Sequence, residues 1–170
     1  MERIRYIQRV CHDEEKIHRF LDEQKVGILG MCDKNSPYAI PVNYIYWNKK
    51  IYIHGMGSGK KNSILEANSK VSFTIFEEFG TVKDPIPCKC DTSYFSVVIF
   101  GKAILVEDLD EKTKALTKFL DKFVPGFFNS PLSTKFVNKY RSSLDNMAVT
   151  VYCIYPDDLT AKENPANNIY

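Results

Sequence analysis

The chain has 170 residues, of which 44% are hydrophobic and 26% charged, and a formal net charge of +2. That length suits one domain covering residues 1–170, and no apolar run approaches the roughly 20 residues that span a bilayer. The nearly balanced charge gives no overall field for nucleic acid, so neither nucleic acid nor a membrane is expected as a partner. At the N-terminus, "MERIRYIQRVCHDEEKIHRF" has arginines but no continuous apolar segment and no small-residue cleavage site. No export signal is indicated, and the expected compartment is the cytoplasm. Asp13 is placed to cap a first helix over about 13–25, with Ile17, Phe20 and Leu21 on one stripe. The period then changes to two. "VGILGMC", "YAIPVNYIYW" and "IYIHG" read as three successive strands of a meander, and Pro41 makes the second strand an edge or a bulged one.

"KKNSILEAN" is a helix of two turns at most. "VSFTIFEE" returns to the strand period with Val71, Phe73 and Ile75 on one face. Phe79 to Thr92, with two prolines and no period, reads as a long loop. "SYFSVVIFGKAILVED" is a long strand that Gly101 could bend or bulge. Asp108 with Glu111 forms an aspartate variant of the capping box, opening a helix with Leu116, Phe119, Leu120, Phe123 and Val124 on one face before Pro125 and Gly126 stop it. "PLSTKFVNKYRSSLDN" reads as an amphipathic helix carrying Leu132, Phe136, Val137, Tyr140 and Leu144, and "MAVTVYCIYPDDL" as a last strand. Six strands in mainly hairpin order, over about 26–108 and 147–162 with helices over about 109–145, imply a small antiparallel barrel of the α+β class.

Five cysteines, Cys11, Cys32, Cys88, Cys90 and Cys153, are odd in number and scattered, which fits a reducing compartment. The lone C-x-C at Cys88 to Cys90 lacks the second pair that structural zinc needs, so no metal is expected. Cys153, between apolar neighbours, reads as a packed thiol, and His12 and His18 as helix-end and surface residues. "KFVNKYR" mixes basic and aromatic residues, and its helical spacing explains them as an ordinary amphipathic face.

The chemically suggestive stretch is "IYIHGMGSGKKNSI", Ile51 to Ile64. It is not a Walker loop, because His54 stands where the first glycine belongs, and it is not G-x-G-x-x-G, because Asn62 replaces the third glycine. Two readings stand: a solvated basic turn, or an anion cradle in which glycines admit backbone N–H groups, Ser58 donates, Lys60 and Lys61 supply charge and a helix N-terminus adds its positive end. His54 is likewise either a hydrogen-bonded strand end or a group that contacts a cofactor or substrate and exchanges a proton.

In order, "YAIPVNYIYWNKKIYIHGMGSGKKNSILEANSKVSFTIF" supplies a P-[LV]-N-[FY] strand, an [FH]-H-G strand end, a G-x-K loop and an N-x-x-V-x-F strand. This block resembles the pyridoxamine 5'-phosphate oxidase-like flavoproteins, most closely their nitroimidazole-resistance (Nim) branch. The likeness continues through "YFSVVIFGKAILVEDLDEK" and "VYCIYPDDLTAK", from about Asp13 to Lys162. It implies a split β-barrel that forms a homodimer with FMN at the subunit interface. Lys60 and Lys61, with Ser58 and the backbone around Gly57, would meet the FMN phosphate. Pro41, Val42, Asn43 and Tyr44 would line the isoalloxazine, Ser96 and Val97 would contact the ring or its ribityl chain, and His54 would sit beside the flavin as the candidate catalytic group. Phe95 departs from the arginine that this branch often carries. The implied activity is an FMN-dependent oxidoreductase, a 5-nitroimidazole reductase in the Nim reading, taking electrons from NAD(P)H for a small-molecule acceptor. The alternative is a binding module that holds FMN or haem for storage, sensing or transfer without turnover.

Overall fold

A computed structural model describes residues 6–165, so residues 1–5 of the stretch read for an export signal lie outside the described residues. Asp13 accepts a hydrogen bond from the Lys16 N–H at 3.0 Å and starts α1 (Glu14–Glu23), whose Ile17, Phe20 and Leu21 are buried as the stripe predicts. The meander follows as β1 (Val26–Asp33), β2 (Ser36–Trp47) and β3 (Lys50–Gly55). Asn48 and Lys49 both have positive φ, 52° and 59°, which suits the tight turn between β2 and β3. After α2 (Lys60–Ala67) come β4 (Lys70–Val82), β5 (Asp91–Leu105), α3 (Leu109–Phe123), α4 (Thr134–Lys139) and β6 (Thr150–Asn164). The six strands close a barrel in the order β1-β2-β3-β6-β5-β4, every pairing antiparallel.

A barrel this small is filled by its own side chains. Leu29, Tyr44, Ile53, Phe73, Val97, Ile99 and Ile154 are fully buried within it. The Tyr44 ring meets Phe73 edge-on at 5.2 Å, and a methyl added at Gly27 would strike the Phe73 ring, so a glycine is needed there for packing. A second cluster sits outside the barrel wall, where Ala115 and Phe119 of α3 cover Ile45, Tyr52, Val151 and Cys153. The Tyr52 hydroxyl donates to Glu111 at 2.7 Å and ties α3 to β3. Among the described residues no helix is long and apolar enough to cross a membrane.

Pro41 fulfils the edge expectation without a bulge. The register from Asp33↔Ser36 to Val26↔Asn43 is unbroken, and only Tyr44 to Trp47 pair with β3, so the Ser36–Asn43 half of β2 has β1 on one side alone. Counting from the two-residue turn, Pro37, Ala39, Pro41 and Asn43 turn their backbone nitrogens away from β1; the Tyr44 N–H, on the opposite phase, points back to Lys25 O at 3.2 Å. Gly101 does lie at a bulge, but the extra residue is Asp157 of β6, because Phe100 pairs Asp158 and Gly101 pairs Pro156. A methyl at Gly101 would collide with the Tyr155 carbonyl oxygen.

Three boundaries differ from the sequence reading. The loop expected over 79–92 is shorter, since β4 runs to Val82 and pairs through Thr81↔Thr92 and Val82↔Asp91; a bulge at Glu78/Gly80, with Gly80 at φ 127°, breaks the period that marks a strand. The helix expected over 131–146 shrinks to the six residues of α4. Past Tyr140 the side chains of Ser142 and Asp145 bond locally to backbone, accepting from Leu144 N–H at Oγ and Met147 N–H at Oδ1, and compete with the helix. Only Val137 of its expected apolar face is buried in α4, while Phe136 and Leu144 are exposed. The last strand begins at Thr150 and runs on to Asn164, because β5 is long enough to pair with all of it.

Candidate functional site

The Met56–Gly59 loop links the end of β3 to the start of α2. Gly59 has φ 119°, a conformation that favours glycine, and directly precedes the helix. The helices α1, α3 and α4 start at Asp13, Asp108 and Ser133, each accepting from a first-turn amide, whereas α2 has no side-chain cap and no acidic residue in its first turn. Its first turn instead carries Lys60 and Lys61. The free N–H groups, the helix dipole and two ammonium groups therefore share one corner of the molecule.

The two lysines differ. Lys60 is exposed, 3.7 Å from Asp33 Oδ2 and 4.5 Å from the centre of the Tyr38 ring. Lys61 is half-buried against Gly55, where a methyl would come within 2.6 Å of its Nζ, and 5.9 Å from the Tyr152 ring centre. Burial pushes the Lys61 ammonium below the usual lysine range, and no carboxylate pairs with it among the described residues. His54 points out of β3 and meets Phe119 edge-on at 4.4 Å. His54 is exposed; desolvation by the groups around it, and then the charge of Lys61, lower its pKa from the usual histidine value.

Two further residues at this corner, Asn62 and Asp145, are not singled out by the sequence pattern. Asn62 is 4% exposed; its Nδ2 donates to Met56 O at 3.0 Å, and its Oδ1 is buried with no hydrogen-bond partner. The donation fixes which end of the amide is which, so the orphaned atom can only accept. A polar side chain interrupting the apolar phase of "KKNSIL" is the one hint the sequence offers. Asp145, from the segment before β6, accepts from the Ser58 hydroxyl at 3.2 Å.

The remaining expected site residues lie on strands and alternate. Val42 and Tyr44 face inward, and the Tyr44 hydroxyl, held protonated by burial, donates to Leu21 O at 2.8 Å; Pro41 and Asn43 face out. Val97 is fully buried, while Ser96 faces outward between Phe76 of β4 and Lys162 of β6. Phe95 points into the core against Phe20, with Lys16 Nζ 5.1 Å from its ring centre. The structure thus brings His54, Gly57, Ser58, Lys60 and Lys61 together and places Ser96 apart from them, on an outer barrel surface where Val26, Ile28, Phe76 and Phe100 are exposed. His54 also opens onto an apolar groove of about 490 Å³ lined by Met56, Leu116, Leu120, Phe136 and Tyr140. Among the described residues no group of three or more His, Cys, Asp or Glu side chains could hold a metal.

Fold and loop together define a class: a six-stranded antiparallel barrel with a basic, glycine-bearing loop at the end of its third strand. The model of the pyridoxamine 5'-phosphate oxidase family matches residues 13–163, and the chain belongs to that family. No curated protein sequence matches it. Among solved structures it is similar to the flavocytochrome Anf3 from Azotobacter vinelandii, at 21% identity over 96% of this chain and 72% of that one, with a TM-score of 0.77. It is similar to an FAD and haem binding protein from Mycobacterium smegmatis, at 18% identity over 92% and 73%, with a TM-score of 0.74. A candidate 5-nitroimidazole antibiotic resistance protein from Bacteroides thetaiotaomicron shares 25% identity over 90% and 85%, with a TM-score of 0.66.

Proposed function

We propose that the protein is a homodimeric FMN-dependent oxidoreductase, a nitroimidazole reductase in type, which takes electrons from NAD(P)H and passes them to a small-molecule acceptor. The observation that carries this reading is Lys61, a half-buried ammonium at an uncapped helix start with no carboxylate partner among the described residues. Such a group suits a phosphate, which desolvation alone would not exclude. Lys60, Ser58 and the Gly57 N–H complete the anchor, and the acceptor-only Asn62 Oδ1 suits a hydroxyl such as those of a ribityl chain.

Pro41 and Asn43, with the backbone of Val42 and Tyr44, border the isoalloxazine in this reading. Val97 contributes no side chain to the surface, so Ser96 is the contact that β5 offers. The exposed apolar surface of Val26, Ile28, Phe76 and Phe100 supports pairing with a second copy. That pairing would join Ser96 and the Lys60–Lys61 loop, separate in one protomer, in a site between two. A bound flavin supplies the electron or hydride transfer, and the chain's residues anchor it, wall its ring and set its hydrogen bonds. His54, its pKa lowered from the usual histidine value, is the group beside it that can donate or exchange a proton. All five cysteines are free, which supports work in the reducing cytoplasm.

The test is the visible spectrum of the purified protein before and after NAD(P)H: yellow, then bleached. Colourless protein that gains no flavin when FMN is added overturns the proposal. The His54 imidazole over an apolar groove favours a second reading, a module that holds FMN or haem without turnover. A Soret band on adding haemin, lost in His54→Ala, is its signature.

A further inference from the structure

The loop proposed to receive the phosphate already holds an anion, and it belongs to the chain itself. Asp145 Oδ2 accepts from the Ser58 hydroxyl at 3.2 Å, and Oδ1 from the Met147 N–H at 3.1 Å. The Met147 amide foremost, then Ser58, Ser142 and the Gly57 N–H, hold this carboxyl below its usual range against some desolvation. A closed turn presents it: Ser142 N–H donates to Met147 O at 2.9 Å, Asn146 N–H to Ser142 O at 2.8 Å, and Asn146 has φ 54°. The segment is seated on the loop, since a methyl at Gly57 would come within 2.6 Å of Met147 Cβ and 2.9 Å of Ala148 O.

The Ser58 hydroxyl has one proton to give, and two anions at one spot repel. We infer that Asp145 is a latch: a ligand phosphate takes the Ser58 hydroxyl only by displacing it, and the Ser142–Met147 turn then leaves the loop. Ser142 also lines the apolar groove at His54, as does Val149 two residues beyond the turn. Phosphate entry therefore also moves part of the wall of that groove. A phosphate-bearing flavin shifts the turn, and a flavin without phosphate leaves it in place. This rests on the phosphate reading above.

Titrations with FMN and with riboflavin, followed by flavin fluorescence, test it on the full chain and on Asp145→Asn and Asp145→Ala. Asp145→Asn keeps the side-chain shape and guards against loss of the turn in Asp145→Ala. The expected result is wild-type preference for FMN, about tenfold tighter FMN binding in both variants, the gain from no longer breaking one charged hydrogen bond, and unchanged riboflavin binding. FMN preference in the wild type with no gain in Asp145→Asn overturns the latch and leaves the phosphate cradle standing. Equal wild-type affinity for FMN and riboflavin overturns the cradle, and the latch with it.

Discussion

Lys61 and Lys122 make a natural pair. Both are half-buried, and burial lowers the pKa of both; for Lys122 it is pushed down to about 8. Lys122, near the end of α3, gives its ammonium to Gln24 O at 2.6 Å and lies 4.6 Å from the centre of the Tyr44 ring. It staples α3 to the end of α1 and to β2. Lys61, at the start of α2, is also desolvated and has no carboxylate or carbonyl committed to it among the described residues. Desolvating an ammonium is costly, so a protein keeps one only where something repays it. At Lys122 the repayment is visible within the chain. At Lys61 the proposed function puts it in a ligand.

The largest expected effect falls on the Lys61 side of this pair. Lys60→Ala combined with Lys61→Ala removes two charge-assisted phosphate contacts of about 1.5–3 kcal/mol each, so FMN binding weakens by about a hundredfold or more while the melting curve hardly moves. Unchanged FMN affinity in a calorimetric titration would make Lys61 a structural lysine like its counterpart. Lys122→Met should do the reverse and leave FMN affinity alone. The folded chain releases the Lys122 proton near about 8 and the unfolded chain only near 10.5, so between these values the unfolded state binds more protons and stability rises with pH. The variant flattens that rise, which amounts to at most about 1.4 kcal/mol per pH unit for one proton and is read from urea melts across the window. The smallest effect concerns the far end of α3, where Asp108 accepts from the Glu111 N–H at 2.6 Å. Asp108→Ala costs about 1 kcal/mol, seen as a fall of about 2–4 °C in Tm, with no change in FMN binding. A loss of FMN there would blur the distinction between a helix end the chain closes for itself and one it leaves open.

Much of the barrel is legible in periodicity, because its strands bury one face each. Val71, Phe73 and Ile75 are all buried, as their alternation requires. The pattern fails where geometry breaks the period: Gly80 hides the last part of β4, and local side-chain bonds end α4 early. The site divides in the same way. His54, Ser58, Lys60 and Lys61 are close in sequence and stand out by spacing. Asp145 meets Ser58 across 87 residues, a contact set by the closure of β3 against β6 and invisible to any local window. The family resemblance places Tyr44 and Val97 at the ligand; strand phase turns both side chains into the core.

The half-edge of β2 has one more consequence. An unpaired strand edge offers its N–H and C=O groups to any other extended chain. Along Ser36–Asn43 the four nitrogens facing away from β1 belong to Pro37, Ala39, Pro41 and Asn43, so two of them carry no hydrogen. A strand arriving from another molecule would find every second donor missing and could not build a continuous ladder. These prolines therefore protect the one side of the meander that the barrel leaves open against edge-to-edge aggregation, and still leave the Asn43 N–H free for a single, smaller ligand.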